Sequence, residues 1–248
     1  MQKLHLALGI FDGVHLGHQK LIQQACCHND PSETAQVLTF HPHPQRVLGF
    51  DHPKLIYDLA QRKRLLQNLG VSHIYIKKFS TAWSQFQPDQ FFKFLKRAFP
   101  NLHTLHVGED FHFGYQKQGN IQTLDEFCQK DEKVHLKVCS HLQYQQARIS
   151  SSRIRQALLS GDMQLANALL GTPYNMKVSI HAPLNNTSKI KFDFPYELIP
   201  KNQFYAACII YKTQRIPVSV QLSQDKVKIT LPSKIDFTPP FFTLKWSL

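Results

Sequence analysis

Ten residues near the N-terminus limit what this chain can fold into more than any other segment does. Gly9-Ile10-Phe11-Asp12-Gly13-Val14-His15-Leu16-Gly17-His18 follows the apolar run Leu4-His5-Leu6-Ala7-Leu8. It precedes Leu21, Ile22, Ala25 and Cys26, which share one face at helical spacing. A buried strand, a glycine-bearing turn and the first turn of a helix therefore succeed one another. Such a turn leaves backbone N–H groups without partners beside the positive end of the helix dipole, a ready site for phosphate. His15 and His18, three residues apart, point the same way from that first turn. They can donate hydrogen bonds to a triphosphate without the fixed charge of Lys or Arg.

The same strand–helix alternation continues to residue 170. Strands are expected over 35–40, 73–79, 102–107 and 134–138. Helices are expected over 57–69, from Pro88 to Ala98, and over 121–130, 151–160 and 163–170, with Asp162 as an N-cap and Gly70 and Gly171 as stops. This pattern predicts an α/β fold, an open, mostly parallel sheet with helices on both faces. Ligands bind beyond the carboxyl ends of the strands in such sheets, and the decapeptide sits at one of those ends. After Pro173 helical periodicity stops. Phe204–Tyr211, Val218–Leu222 and Val227–Leu231 are short, β-branched or aromatic, and separated by turn residues, and Asp236–Phe242 is too proline-rich for a helix. The expected organisation is an α/β domain over 1–174 and a small all-β, barrel-like domain over 175–248.

Composition narrows the partners. With 248 residues, 42% of them hydrophobic, the chain can bury a sizeable core. It has no apolar run of about 18 residues, so no membrane span is expected, and no leader-like start, which points to the cytoplasm. Five cysteines without a C-x-x-C pair fit reduced thiols better than a disulfide frame or a zinc site. The formal charge of +12 is spread along the chain without long basic runs. That favours a site for anionic small molecules over a nucleic-acid partner, and none of the latter is expected. Oligomeric state is not readable.

Four more segments fall at strand ends or helix starts. Thr39-Phe40-His41-Pro42-His43-Pro44 closes the second strand, and its X-Pro steps hold the histidines in a fixed loop. Gly108-Glu109-Asp110-Phe111-His112-Phe113-Gly114 follows the 102–107 strand with the glycines, polar groups and aromatics that a ring-binding loop needs. Arg148-Ile149-Ser150-Ser151-Ser152-Arg153-Ile154-Arg155 opens a helix with hydroxyls and arginines, a second phosphate site. Gly171-Thr172-Pro173-Tyr174 ends the domain.

Together, in this order, these motifs closely resemble the bacterial bifunctional riboflavin kinase/FAD synthetase family, and His15-Leu16-Gly17-His18 resembles the H-x-G-H signature of nucleotidylyltransferases. The resemblance covers residues 4 to about 174 and implies an FMN adenylyltransferase module with a Rossmann-like fold. It would transfer AMP from ATP to FMN, giving FAD and pyrophosphate, with Mg2+ accompanying ATP. On the family pattern Gly9, Phe11, Asp12 and Gly17 shape the nucleotide turn, and His15 and His18 hold the triphosphate. Arg148, Ser151, Ser152 and Arg155 face the departing phosphates. Asp110, Phe111 and Phe113 lie near the flavin and the reacting phosphates, and His41, Pro42 and His43 beside the flavin or metal region. No metal ligand is assigned. Two positions depart from the pattern: Lys117 where relatives often carry Arg, and Asn120 where an acidic residue follows.

The family's second domain is a riboflavin kinase barrel, and here its signature fails. Met176–His181 resembles the first barrel strand, but residues 182–190 lack the phosphate-loop glycines, and Phe194-Pro195-Tyr196-Glu197 puts Tyr where the magnesium-binding Thr belongs. A phosphate loop needs glycine to bring backbone N–H groups close to the anion. No catalytic glutamate can be assigned and the family's C-terminal helices have no counterpart, so a kinase-dead barrel is expected. Two other readings stay open: transfer onto another phosphorylated acceptor, and a non-catalytic flavin- or nucleotide-binding regulator.

Overall fold

The computed structural model describes residues 2–28, 30–49, 54–179, 187–191, 198–211, 213–223, 226–231 and 241–246. By packing, the chain divides into two compact units, Met1–Pro53 with Leu59–Ile149, and Lys54–Asp58 with Ser150–Leu248.

In the first unit, strands β1 (Leu4–Leu8), β2 (Thr34–His41), β3 (His73–Lys78), β4 (Leu102–Gly108) and β5 (His135–Cys139) form one sheet in the order β3-β2-β1-β4-β5. Every neighbouring pair is parallel. β1 is central and buried along its whole length, apolar but for His5, whose ring finds polar partners in His106 and Glu33. Alternate residues serve opposite faces. Leu4, Leu6 and Leu8 join Leu105, Val107 and the Phe91, Phe92 and Leu95 stripe of helix α5 (Pro88–Ala98). Ala7 joins Leu21, Ile22 and Ala25 of α1 (Leu16–Cys26) and Leu66 of α3 (Leu59–Gln67). Both faces are thus covered, as expected. The strand order reverses between β1 and β4, and there the loops beyond the strand ends diverge and open a crevice. Elements too short for periodicity to reveal also occur: α2 (Pro44–Val47), α4 (Thr81–Ser84), and a hairpin of β6 (Gln143–Tyr144) and β7 (Ala147–Arg148). α6 (Ile121–Asp131) covers the β4–β5 side. Its N-cap is Asn120, whose side chain accepts from the Thr123 N–H at 3.0 Å. The departure from the family pattern at 120 therefore starts a helix.

The second unit contains α7 (Ser151–Ser160), α8 (Met163–Leu170) and an antiparallel sheet. That sheet has the order β8 (Asn175–Ser179), β13 (Phe241–Trp246), β10 (Phe204–Tyr211), β11 (Gln214–Ser223), β12 (Lys226–Thr230), β9 (Thr187–Lys191). Its end strands β8 and β9 approach one another, so the sheet curls toward a barrel. Residues 180–186, Phe194-Pro195-Tyr196-Glu197 and most of the proline-rich 236–242 stretch lie outside the described residues. The change of texture at 174/175 coincides with the start of the sheet, but packing groups α7 and α8 with it. The Lys201 N–H donates to Leu158 O, Gln203 Nε2 donates to Gly161 O, and Tyr174 stacks on Tyr57.

A histidine cluster crosses the first sheet. His5 Nδ1 on β1 lies 3.2 Å from His106 Nε2 on β4, and His5 Nε2 lies 3.0 Å from Glu33 Oε2. The His28 and His103 rings pack on His5, and His135 packs on His103. Burial, then the positive charges of His5 and Lys137, push the His106 pKa down from 6.5 to about 4. The unfolded chain binds this proton at the ordinary value, whereas the folded chain refuses it until about pH 4. Stability therefore falls as pH drops from about 6.5 to about 4 and levels off below, a loss on the order of 3 kcal/mol. Melting temperatures measured across that window should fall in wild type and fall less in His106→Gln.

Candidate active site

The turn after β1 is held in an uncommon backbone. Phe11, Gly13 and Val14 all have positive φ, at 55°, 83° and 41°. For a β-branched residue such as Val14 this is strained, and strain of this kind gathers at functional sites. Gln19 secures the turn, its Nε2 donating to Val14 O at 2.9 Å. The Phe11 ring lies against Gly9 so closely that a Cβ there would sit 2.9 Å from it. His15 is the N-cap of α1, and its Nδ1 accepts from the His18 N–H at 3.3 Å, which leaves the His15 proton on Nε2. The His15 and His18 rings stack at 3.6 Å, and the Gly17 Cα passes beside the His15 ring with little room for a side chain. His18 meets the Phe11 ring edge-on. Burial, followed by the positive charges of His15, Arg62 and Arg148, holds the His18 pKa well below the imidazole range, so it is neutral at pH 7. Its Nδ1 is buried with no hydrogen-bond partner among the described residues. Such an atom calls for a ligand, water or ion. Asp12 is buried under the same turn.

The next strand end brings His41, Pro42 and His43. His43 caps α2, accepting from the Gln45 N–H at 3.3 Å, and Pro44 takes its first position. The His41 pKa is lowered by burial, then by Arg62 and Arg46, and its Nδ1 is buried without a partner among the described residues. Beyond β4, Asp110 forms an ion pair with Arg148 of β7, Arg148 Nη2 lying 2.5 Å from Oδ2. Burial alone would raise the Asp110 pKa; the Arg148 hydrogen bond and charge, with His141, bring it below the usual value, so the carboxylate stays ionised.

Phe111 and Phe113 stack on each other, and Phe91 packs on both. They form part of the wall of a pocket of about 250 Å³, with Gly9, Ile10, Phe40, Pro44, Phe79, Trp83 and Phe86. Three predicted segments, after β1, β2 and β4, thus converge on one apolar cavity. Gly9 and Ile10 link it to the histidine turn. Arg148 reaches the same end of the sheet.

Ser151, Ser152 and Arg155 belong to the second unit. They open α7, which is capped by Ser150 accepting from the Arg153 N–H at 3.3 Å, and Arg155 Nε donates to Lys54 O at 3.0 Å. Sequence reasoning missed Arg62. It is 2% exposed, and its Nη1 donates to Ile10 O at 2.6 Å. A signal was present: Arg62 falls at helical spacing with Leu59, Leu66 and Leu69, a cation on an apolar stripe. It also missed Trp83 and Phe86, which lie on or just after the one-turn helix α4.

Residues 1–153 match the FAD synthetase family model. The bifunctional riboflavin kinase/FMN adenylyltransferase of Bacillus subtilis is 40% identical over 182 residues, covering 71% of this chain and 56% of that protein. The Listeria monocytogenes protein of the same description is 34% identical over 212 residues, covering 81% of this chain and 66% of its own length. The chain thus spans less than two thirds of these relatives. A solved structure described as a macrolide-efflux protein from Streptococcus pneumoniae shares the fold, with a TM-score of 0.85, 23% identity, and coverage of 99% of this chain and 85% of that one. A strand–turn–helix bearing a stacked histidine pair, aromatic loops converging beside it and a family model that spans all of these place the chain in the FAD synthetase family.

Proposed function

We propose that this protein transfers AMP from ATP to FMN, releasing pyrophosphate and forming FAD. The observation that carries this reading is the adjacency, through Gly9 and Ile10, of an aromatic pocket and a neutral histidine pair at a helix N-terminus. A cavity of about 250 Å³ lies just under the ~300 Å³ common for small-molecule clefts. It suits a flat ring system whose phosphate tail points toward the histidine turn.

An FMN phosphate oxygen is already anionic, so its attack on the α-phosphorus needs no general base. The bond to the bridging oxygen breaks in line, and pyrophosphate leaves with both electrons. Catalysis then consists of positioning and charge neutralisation. His15 and His18 donate to the triphosphate at the α1 N-terminus. Arg148 takes the departing β- and γ-phosphates, the role that the family pattern also gives Ser151, Ser152 and Arg155. Gly9, Phe11, Asp12 and Gly17 shape the turn, while Phe111, Phe113 and the His41–Pro42–His43 loop border the flavin. Asp110 holds the Arg148 guanidinium in place.

No group of three or more His, Cys, Asp or Glu side chains that could hold a metal ion occurs among the described residues. Mg2+ fits this site as an ion carried by ATP, because it keeps phosphate and water ligands and needs only one or two carboxylates. The ionised Asp110 is the carboxylate in place to meet it, and bound Mg2+ would neutralise charge on the phosphates. No helix among the described residues is long and apolar enough to cross a membrane. The five cysteines are free thiols, which suits a reducing, cytoplasmic setting. The degenerate sequence after Tyr174 supports loss of riboflavin kinase activity.

One assay tests both halves. With Mg-ATP and FMN, FAD and pyrophosphate should appear in equal amounts. With Mg-ATP and riboflavin, no FMN should form. ATP binding without pyrophosphate release would overturn the first half, and FMN formed from riboflavin would overturn the second.

A further inference from the structure

Asp110 serves two sides of the site at once. Its carboxylate pairs with Arg148, and its carbonyl oxygen accepts from His112 Nδ1 at 2.8 Å. The turn that carries both is closed by the Phe111 N–H, which donates to Gly108 O at 3.0 Å. His112 falls between Phe111 and Phe113, whose rings stack on each other, and it lines the aromatic pocket with them. Among the described residues that line this pocket, Ser84 and His112 have polar side chains, Trp83 adds an indole N–H, and the rest are apolar or glycine. The pocket therefore has few polar atoms with which to choose a ring, and what those atoms offer decides the choice.

A carbonyl oxygen only accepts, so His112 carries a proton on Nδ1, and in the neutral ring Nε2 keeps a lone pair. The two nitrogens lie on opposite edges of an imidazole. The bond that fixes Nδ1 therefore turns Nε2 away from the backbone of its own loop. Ser84 has spent its hydrogen in the same sense: its Oγ donates to Thr81 O at 2.7 Å, back onto its own helix. Both side chains are left as acceptors. A ring ligand made of acceptors alone would set lone pair against lone pair there. The oxidised isoalloxazine ring of FMN carries a single N–H, at N3, between the C2 and C4 carbonyls. Its N1 and N5 only accept.

We infer that His112 is a specificity-determining residue for the ring substrate: its Nε2 accepts the imide N–H at N3 of the flavin. His112 is preferred over Ser84 for this role because its free nitrogen stands at the far edge of a long side chain, whereas the Ser84 hydroxyl is folded back onto α4. The inference rests on the reading of this pocket as the FMN site, and it names the edge of the ring that the protein reads. Asp110 then aligns both ends of the substrate, the imide through His112 and the phosphates through Arg148.

The test uses the full chain and reads equilibrium binding of FMN and of 3-methyl-FMN from the quenching of flavin fluorescence at pH 8, without ATP. Wild type should bind FMN about tenfold or more tighter than 3-methyl-FMN, the loss expected when an acceptor is left without its donor. His112 is exposed, so substitutions there should leave the melting temperature close to that of wild type. His112→Leu keeps most of the bulk and removes the acceptor. It should bind both flavins alike, with FMN weakened about tenfold. His112→Gln can donate to Asp110 O through its amide and still accept through Oε1, and it should keep the preference for FMN. A methyl group kept out by bulk alone would be kept out equally by Leu, so a Leu variant with the full preference would overturn the inference. Equal binding of the two flavins by wild type would overturn it as well. FAD formation with Mg-ATP is followed in parallel. A wild type that shows the preference but makes no FAD would sink the adenylyl-transfer reading and leave this inference standing. FAD made equally well from both flavins would do the reverse.

Discussion

His18→Ala is expected to lower kcat for FAD formation by about 10²–10³-fold, the range for loss of one preorganised donor to charge that develops in a transition state. The His18 ring is neutral and carries a buried Nδ1 that the described protein atoms leave without a partner. It is held between the stacked His15 ring and the edge of Phe11. That packing fixes the ring before substrate arrives, so little reorganisation is needed during the reaction. The stability lost with the ring contacts is on the order of 1 kcal/mol, and the melting temperature should fall by only a few degrees. His18→Asn returns an N–H donor without a titratable ring and should recover part of the rate. Steady-state kinetics with FMN and Mg-ATP, paired with thermal melts, check this. An alanine variant that turned over at the wild-type rate would remove His18 from the site.

Gly119→Ala should damage the flavin side of the site from a distance. Gly119 exchanges two backbone hydrogen bonds with Phe113, both 2.9 Å long, so the two residues face each other across an isolated bridge. A Cβ at 119 would sit 2.7 Å from the Phe113 ring. Phe113 is 6% exposed and wedged against Phe91 and Phe111, so the ring can yield only by moving into the pocket it lines. Overpacking of this kind costs about 1–3 kcal/mol. KM for FMN should rise by about tenfold, which corresponds to ~1.4 kcal/mol of lost binding. KM for ATP should change much less, because the histidine turn is built from other segments. A rise in both constants alike would show that the pocket and the turn do not divide the two substrates.

Much of the first unit was legible because its signals are local. The β1 run is apolar at every position but His5 because it lies at the centre of a parallel sheet covered on both faces. The Phe91–Leu95 stripe, Pro88 at the first helical position, and the Asp162 and Gly171 boundaries of α8 each act within one or two turns of backbone. The short elements α2, α4 and the β6–β7 hairpin have no repeat long enough to read. Gln145 and Gln146 form that hairpin's turn at positive φ without any glycine to announce it. Asn120 looked like a lost charge in the sequence, and in the fold it caps a helix.

The sequence by itself determined the parallel α/β layer, the strand–turn–helix with His15 and His18, and the break in texture near Pro173, since hydrophobic period, caps and turn residues are properties of neighbours along the chain. Only the tertiary structure decided what each chemical group meets. It set Arg62 under Ile10, paired Asp110 with Arg148, closed Phe111 and Phe113 with Trp83 and Phe86 around one cavity, and grouped α7 and α8 with the antiparallel sheet. These are contacts between residues tens of positions apart. They follow from how strands order themselves in a sheet and which faces the helices cover, and periodicity within a single segment carries no record of either.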